Sequence, residues 1–146
     1  MTVIEIGAIH VEETAELLQL LVNNRLPREG LLPHLPTTLV ARAGGRLVAS
    51  AALEVYGDAA LLRSVAVAEA HRGEGLGIRM TREALELARR LGVSKVILLT
   101  ETAEGFFASQ GFRRIARESA PERVRASVEF ASVCPTSAVA MERETS

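Results

Sequence analysis

The sequence predicts a domain of the mixed α/β (α+β) class, with a largely antiparallel sheet flanked by helices. Three observations favour this class. Strand-like and helical apolar periods follow one another along the chain in the order strand, helix, three strands, helix, strand. Two glycine turns separate the three central runs at hairpin spacing, and one strongly amphipathic helix lies between two strand-like runs. At 146 residues, we expect one continuous domain over 1–146.

The first third of the chain predicts a strand, a helix and an irregular loop. The segment 2–6 alternates as a strand does, and 11–24 places Val11, Ala15, Leu18 and Val22 at helical spacing. Three of the five prolines fall in 25–38. Because proline fixes one backbone angle and biases its predecessor away from helix, we expect a loop with at most one short helix there.

The middle of the chain predicts three antiparallel strands and a crossover. The turn signals "AGG" and "YGD" separate strands over about 38–43, 47–55 and 59–68. A helix with one wide apolar face follows from residue 78, and Gly92 stands where a left-handed helix stop is expected. The buried run 94–100 should then lie parallel to the strand before the helix, since such crossovers are right-handed.

The last third of the chain is predicted with shorter elements. The segment 102–112 forms a short helix closed by Gly111, and a further strand begins in 113–119. We expect 120–131 to be a helix or a partly ordered lid, and 137–144 to be the final strand.

Composition excludes several classes of function. Apolar residues make up 48% of the chain and charged residues 24%, and the formal charge of −1 provides no field that would attract nucleic acid or an acidic membrane. No apolar stretch approaches the roughly 18 residues of a membrane span, so we expect a cytoplasmic protein. One cysteine, Cys134, allows no internal disulfide, and with three histidines it makes a metal centre an unfavourable interpretation.

The segment "AHRGEGLG" (70–77) packs three glycines into five positions between a predicted strand and a predicted helix. The first amides of a helix have no intrahelical partner and lie at its positive end, so a glycine loop there binds anions such as phosphate or pyrophosphate. Arg72 adds a charged donor fork. A nucleotide P-loop needs Lys-Ser or Lys-Thr after its last glycine, whereas Ile78 and Arg79 follow Gly77. A dinucleotide fingerprint needs a glycine where Ile78 stands.

The remaining pattern, Arg-x-x-Gly-x-Gly, resembles the GNAT superfamily of N-acetyltransferases, as do "SVAVAEAHRGEGLGIRM" and "FFASQGF" in their order along the chain. The resemblance implies the acyl-CoA N-acyltransferase fold, with a sheet splayed at its central strands, and acetyl-CoA as the acetyl donor. It also implies that the loop amides bind pyrophosphate and that the splayed strand pairs with the pantetheine arm. The cofactor-binding residues so implied are Val65, Ala66, Val67, Arg72, Gly73, Glu74, Gly75, Leu76, Gly77 and Phe107.

Within that superfamily, "LEVYGDAALLRSVAV", "LLTETAEGFFASQGF" and "VEFASVCPTSAVAM" resemble two related groups. These are the glutamate N-acetyltransferases and the small acetyltransferases of arsenic-resistance operons, of which the second is nearer in size. The resemblance implies an amino-acid-like acceptor with an anionic group, such as glutamate, phosphinothricin or arsinothricin. It therefore implies a partner that is a small-molecule amine.

Three residues are predicted to do the chemistry of acetyl transfer. The backbone N–H of Val67 is expected to stabilise the thioester oxyanion. Glu54 is the first candidate for the base, through a water, because a carboxylate in the apolar run "AALEVY" is costly unless paired or at a site mouth. Glu101, at the end of the strand that follows the glycine loop and its helix, is the second candidate. For both glutamates the alternative is a strand-end surface carboxylate.

Three further residues are predicted to bind the acceptor. Arg63, a cation within a central strand, suits a substrate carboxylate, and its alternative partner is Glu54 on the neighbouring strand. Ser64 can donate to the same group, and His34 is placed to line the acceptor pocket from the proline loop. Many members of the superfamily have a tyrosine acid before the "GF" pair, where this chain has Phe106 and Phe107, and its sole tyrosine is Tyr56.

The residues leave other functions and assembly states open. The missing tyrosine motivates a non-catalytic acyl-CoA-binding module as the alternative to an enzyme. Within the enzymes, acetylation of a protein N-terminus or lysine is the rival, although the proline loop favours a closed small-molecule pocket. A homodimer is compatible with the sequence.

Overall fold

The computed structural model describes residues 3–133 and 137–146 and arranges them as one sheet flanked by helices. The strands are β1 (Ile4–Ala8), β2 (Thr38–Ala43), β3 (Arg46–Tyr56), β4 (Ala59–Val67), β5 (Lys95–Thr100), β6 (Arg113–Ile115) and β7 (Val139–Glu144). The α-helices are α1 (Thr14–Asn23), α2 (Leu76–Arg90), α3 (Glu104–Ser109) and α4 (Glu122–Arg125).

The sheet has the strand order β1-β2-β3-β4-β5-β7-β6. All its neighbouring pairs are antiparallel except β4 and β5, which run parallel and are joined by α2. The predicted fold class, with its three-strand meander and one parallel step, is confirmed.

The predicted phase of the first helix is wrong. Leu17, Leu20 and Leu21 face the core, whereas Val11 and Val22 are 78% and 46% exposed. The α-helix begins only at Thr14, after a 3-10 turn that holds Val11. A 3-10 turn advances by three residues rather than 3.6, so the apolar spacing counted from Val11 does not match the face that α1 presents.

Helices cover both faces of the sheet. Met80 and Ala84 of α2 pack on Leu53 of β3 and Leu62 of β4. On the opposite face α1 packs on β2 and β3, and α4 packs on Leu61 of β4. Side chains alternate between the two faces along a strand, so adjacent residues of β4 pack against different helices.

The C-terminal third departs from its predicted bounds. Of the predicted strand in 113–119, only residues 113–115 form β6 and pair with β7, and residues 117–119 form a 3-10 turn. The predicted helix or lid at 120–131 contains the four-residue α4 and, from Glu129, a π-type turn. Cys134 lies outside the described residues. In the described ranges no helix has the length and apolar character of a membrane span, and no group of three His, Cys, Asp or Glu is placed to hold a metal ion.

Candidate active site

A bulge in β4 opens the centre of the sheet. Ser50 of β3 lies opposite Ala66, and Ala52 lies opposite Arg63, so β4 uses three residues where β3 uses two. The extra residue is accommodated at Ser64, whose φ of +59° is in the left-handed region, and Ser50 Oγ donates to Ser64 O at 2.7 Å. A bulge bends and twists its strand, so β4 turns away from β5 beyond this point.

The parallel pairing of β4 with β5 ends before the bulge. Its register runs from Ala59 opposite Lys95 only to Leu61 opposite Ile97, although both strands continue. A cleft of about 830 Å³ occupies the gap. Of the predicted site residues, those that line it are Arg63, Ser64, Val65, Arg72, Glu101 and Phe107.

The free edge of β4 presents backbone groups to the gap. The N–H of Ala68, just after β4, donates to Val48 O of β3 at 2.8 Å. The even-numbered residues after the bulge therefore point their amides at β3. By alternation, the amides and carbonyls of Val65 and Val67 point the other way. The Val67 carbonyl accepts from Arg72 Nε at 3.3 Å on that side.

The glycine segment forms a loop that ends at the N-terminus of α2. Gly73 and Gly75 have φ of +83° and +79°, which non-glycine residues rarely adopt, and a Cβ on either would meet open space. These two positions therefore require glycine because of their backbone conformation and not because neighbouring atoms are close. Gly77 is already helical, and a Cβ there would touch Phe106 and Val67 at ordinary contact distances.

In the described part of the chain, no backbone carbonyl accepts from the amides of 73–78. The first bond at the start of α2 runs from Arg79 N–H to Gly75 O at 3.2 Å. Arg72 folds from this loop along the cleft and donates to Asn24 Oδ1 at 2.8 Å. The segment therefore offers free N–H donors and a guanidinium at one end of the gap, which is the chemistry an anion needs.

Phe107 is 8% exposed and packs edge-on against Phe106 and Phe112, with ring centroids 5.0 and 5.7 Å apart. One side of it lines the cleft. It is therefore both a core residue of α3 and part of the cleft wall.

Arg63 is the centre of a buried polar cluster. It is 2% exposed, and its Nη1 donates to Glu54 Oε2 at 2.8 Å, the internal partner weighed from the sequence. Its Nε lies 3.0 Å from Glu129 Oε2, and its Nη2 donates to Pro27 O at 3.2 Å. One guanidinium thus ties β3, the proline loop and the C-terminal turn to β4.

Glu54 lies behind Arg63 and is not part of the cleft lining in the described residues. It is 1% exposed and accepts hydrogen bonds from Arg63 and from the Tyr56 hydroxyl. Burial and this bond raise the pKa of Tyr56. His34 Nε2 is 3.6 Å from Glu54 Oε1, and the structure thus places His34 against Glu54 rather than in the lining of the cleft.

Glu101 lies just past β5, where its exposed carboxylate accepts from Ser137 Oγ at 3.2 Å. Three further charged residues of the cleft, Arg25, Glu29 and Glu129, were not singled out from the sequence. Glu129 is only 4% exposed, and Arg25 has a φ of +58° directly after α1. Glu129 belongs to the segment "VEFASVCPTSAVAM", whose resemblance implied no role for it, and no motif surrounds Arg25. Only the fold brings both to the gap.

The end of the cleft at Arg63 is covered by two segments in contact. A Cβ on Gly30 of the proline loop would lie only 2.9 Å from Val128 Cβ of the C-terminal segment. Pro27 and Glu129, from the same two segments, both contact Arg63. This end is enclosed, whereas the glycine loop lies at the exposed end.

Sequence comparison identifies a related family and related proteins. The family model of the acetyltransferase (GNAT) domain matches residues 35–114. An uncharacterised N-acetyltransferase of Chlorobaculum tepidum is 30% identical over 97 residues, which cover 66% of this chain and 62% of that protein. N-acetyltransferase family 8 member 3 of Rattus norvegicus is 33% identical over 61% of this chain and 43% of its own length. The match thus spans less than two thirds of these curated relatives.

Solved structures share the fold. The N-acetylglutamate synthase of Neisseria gonorrhoeae, complexed with coenzyme A and N-acetyl-glutamate, superposes with a TM-score of 0.85 at 21% identity, over 100% of this chain and 36% of that one. Rv2747 of Mycobacterium tuberculosis, also in complex with CoA, gives 0.81 at 24% identity, over 96% and 98% of the two chains.

Proposed function

Because this chain belongs to the GNAT family of acetyltransferases, we propose that it transfers the acetyl group of acetyl-CoA to the amine of a small, amino-acid-like acceptor. The observation that carries the proposal is the cleft between β4 and β5. It has free backbone donors at its exposed end and an enclosed, charged pocket around Arg63 at the other.

Acetyl-CoA would enter from the exposed end. Its pyrophosphate would accept from the amides of 73–78 at the start of α2, assisted by Arg72. Its pantetheine amides would pair with the edge groups of Val65 and Val67, in place of the strand that β5 does not supply there. The coenzyme A in the two superposed proteins supports this donor.

The thioester carbonyl would then lie against the edge amides of β4. The sequence predicts the Val67 N–H as the oxyanion donor, and the Val65 N–H on the same strand edge is a second candidate. Val65 lines the cleft and Val67 does not, while Val67 O is held by Arg72. We therefore assign the oxyanion to the Val65 N–H, and the pantetheine contacts to the Val65 carbonyl and the Val67 N–H.

The acceptor would occupy the enclosed end. The proline loop and the C-terminal segment are in contact near this end, which favours a small molecule over a protein N-terminus or lysine as the acceptor. Arg25 lines this cleft and supplies a cation for an acidic side chain, because the nitrogens of Arg63 already have protein acceptors. A glutamate-like acceptor, including phosphinothricin or arsinothricin, fits that charge.

Transfer would proceed without a tyrosine acid. The hydroxyl of Tyr56 is bonded to Glu54 behind Arg63, outside the described lining of the cleft. A thiolate is a weak enough base to leave unassisted and take its proton from water. The reaction therefore needs an oriented, unprotonated amine and a stabilised oxyanion.

The test is a thiol-release assay with acetyl-CoA against glutamate, phosphinothricin, arsinothricin and peptides with free N-termini, alongside calorimetric titration with CoA. We expect turnover on a glutamate-like amino acid and none on peptides. Turnover on peptides alone would overturn the acceptor class. Tight CoA binding with no turnover on any amine would instead indicate a non-catalytic acyl-CoA-binding module.

A further inference from the structure

Four carboxylates could accept the acceptor's proton, and the structure separates them by position. Glu29 lines the cleft but is exposed. Glu54 is bonded to Arg63 and lies outside the described lining of the cleft. Glu101 lines the cleft but is exposed and bonded to Ser137. Glu129 both lines the cleft and is 4% exposed. A base that is withdrawn from water and open to the substrate is the useful arrangement.

The surroundings of Glu129 favour a cation. Arg63 lies between Glu129, at 3.0 Å, and Glu54, at 2.8 Å. Glu54 also lies 3.6 Å from His34 Nε2. A carboxylate accepts several hydrogen bonds at once, so Glu129 can bind an ammonium group while it keeps its contact with Arg63. The charged groups that share the cleft with Glu129 are Arg25, Glu29, Arg63, Arg72 and Glu101.

The position along β4 also suits the reaction. Arg63 precedes Val65 by two residues, which span at most about 7 Å of chain whatever the conformation of Ser64 between them. An amine held by Glu129 would therefore lie within one small molecule's length of a thioester on the Val65 amide.

We infer that Glu129 binds the acceptor's ammonium group and takes its proton, which rests on the proposed acetyl transfer. The ammonium gives one proton to the Glu129 carboxylate and becomes a free amine. The amine attacks the thioester carbon, the C–N bond forms, and the C–S bond breaks to release the thiolate. The thiolate takes the second nitrogen proton by way of water, and Glu129 returns its own proton to solvent.

The test compares Glu129→Gln with the wild type, using the best acceptor of the amine panel at pH values from 6 to 9.5. We expect kcat/KM near neutral pH to fall about 100-fold or more. We also expect the deficit to narrow about tenfold per pH unit, up to the pKa of the amine, because free amine then needs no base. Glu83→Gln, which removes an exposed carboxylate of α2 outside the described lining of the cleft, should remain within twofold of the wild type.

Two readouts keep this inference distinct from a folding defect and from the proposed function. CoA titration reports whether the variant folds. If Glu129→Gln fails to bind CoA, the test is made with Glu129→Asp instead. For Glu129→Asp we expect kcat to fall at least tenfold at unchanged CoA affinity. A kcat/KM within threefold of the wild type, or a deficit that does not change with pH, overturns the role of Glu129 alone. Silence of the wild type on every amine overturns the proposed function and this inference with it.

Discussion

Gly75 and Gly92 are a matched pair at the two ends of α2. Both have φ near +80°, and at both an added Cβ would meet no heavy atom within 4 Å. A side chain at either position therefore incurs the same left-handed strain of about 1–2 kcal/mol. They differ in what lies beside them, since only Gly75 belongs to the proposed pyrophosphate loop.

Gly75→Glu should therefore abolish CoA binding, whereas Gly92→Glu should not. The new carboxylate would repel the pyrophosphate and occupy its space, and we expect at least a 100-fold loss of affinity by calorimetric titration. Gly92→Glu should lower the melting temperature as much as Gly75→Glu does, and it should bind CoA as the wild type does. Equal CoA affinity in the two variants would contradict the assignment of the loop.

The Tyr56 hydroxyl donates a hydrogen bond to Glu54, and we expect it to support that carboxylate rather than to act in catalysis. Tyr56→Phe should lower the free energy of unfolding by about 1–2 kcal/mol, because it leaves a buried carboxylate with one hydrogen bond fewer. The kcat of acetyl transfer should stay within threefold of the wild type. A hundredfold loss of kcat at unchanged CoA affinity would show instead that Tyr56 is the missing acid.

Arg63 shows where inference from single residues ends. A guanidinium inside an apolar strand needs an anionic partner because its desolvation is costly. The hairpin register then identified Glu54 on the neighbouring strand as that partner. Its contacts with Glu129 and the Pro27 carbonyl come from segments 66 residues later and 36 residues earlier. No local pattern predicts which loops meet over a strand.

The bulge at Ser64 is the element that separates β4 from β5. Substitution of Ser64 by valine should cost about 2 kcal/mol, because a β-branched residue is strongly disfavoured at positive φ. If the strand straightens to relieve that strain, the gap narrows and CoA affinity falls with stability. Ser64→Gly, which keeps the bulge without strain, should bind CoA within threefold of the wild type.

Equal CoA affinity for Ser64→Val and Ser64→Gly would mean that the gap does not depend on the bulge. Chemical denaturation and calorimetric titration of the two variants measure both quantities. Sequence alone predicts the strand but not the bulge, since serine carries no signal for the left-handed conformation.

An ion pair anchors the turn before α1 to β2. Glu13 accepts from Arg42 Nη2 and Nε at 2.6 and 2.7 Å, and the side-chain bond to Arg42 lowers the pKa of Glu13 to about 2. A lowered pKa means that the folded state favours the carboxylate. The stabilisation is therefore complete above the ordinary value of 4.5 and is lost as pH falls towards 2.

Glu13→Gln should thus destabilise the protein by roughly 1 kcal/mol at pH 7, the size expected of a partly exposed pair. The difference from the wild type should shrink as pH falls below 4.5. Urea denaturation at pH 7, 5 and 3.5 measures it, with the exposed neighbour Glu12→Gln as the control. A difference that stays constant down to pH 3.5 would refute the electrostatic origin.

At the scale of the whole molecule, the order of elements could be predicted because local patterns encode it. The turns at "AGG" and "YGD" determined the hairpins, and the amphipathic face of α2 required a sheet beneath it. The enclosed pocket depends instead on the contact of Gly30 with Val128, which are 98 positions apart. Such long-range contacts, like the phase of α1, depend on the folded chain and were not predictable.

Binding of CoA should stabilise the entire fold. A ligand that binds only the native state adds about 2.7 kcal/mol at 100 times its Kd, which corresponds to a rise in melting temperature of roughly 5–10 °C for a domain of this size. Differential scanning fluorimetry with and without CoA measures the rise. Gly75→Glu should show none, and an equal rise in that variant would place CoA elsewhere.

The interrupted pairing of β4 with β5 also concerns the lifetime of the protein. Hydrogen bonds that two strands do not make leave a seam along which the fold opens locally at low cost, and local opening is what proteases exploit. A thioester lying in the seam would bridge it. The supply of CoA in a cell would then govern both how fast this protein turns over its acceptor and how long each copy survives degradation.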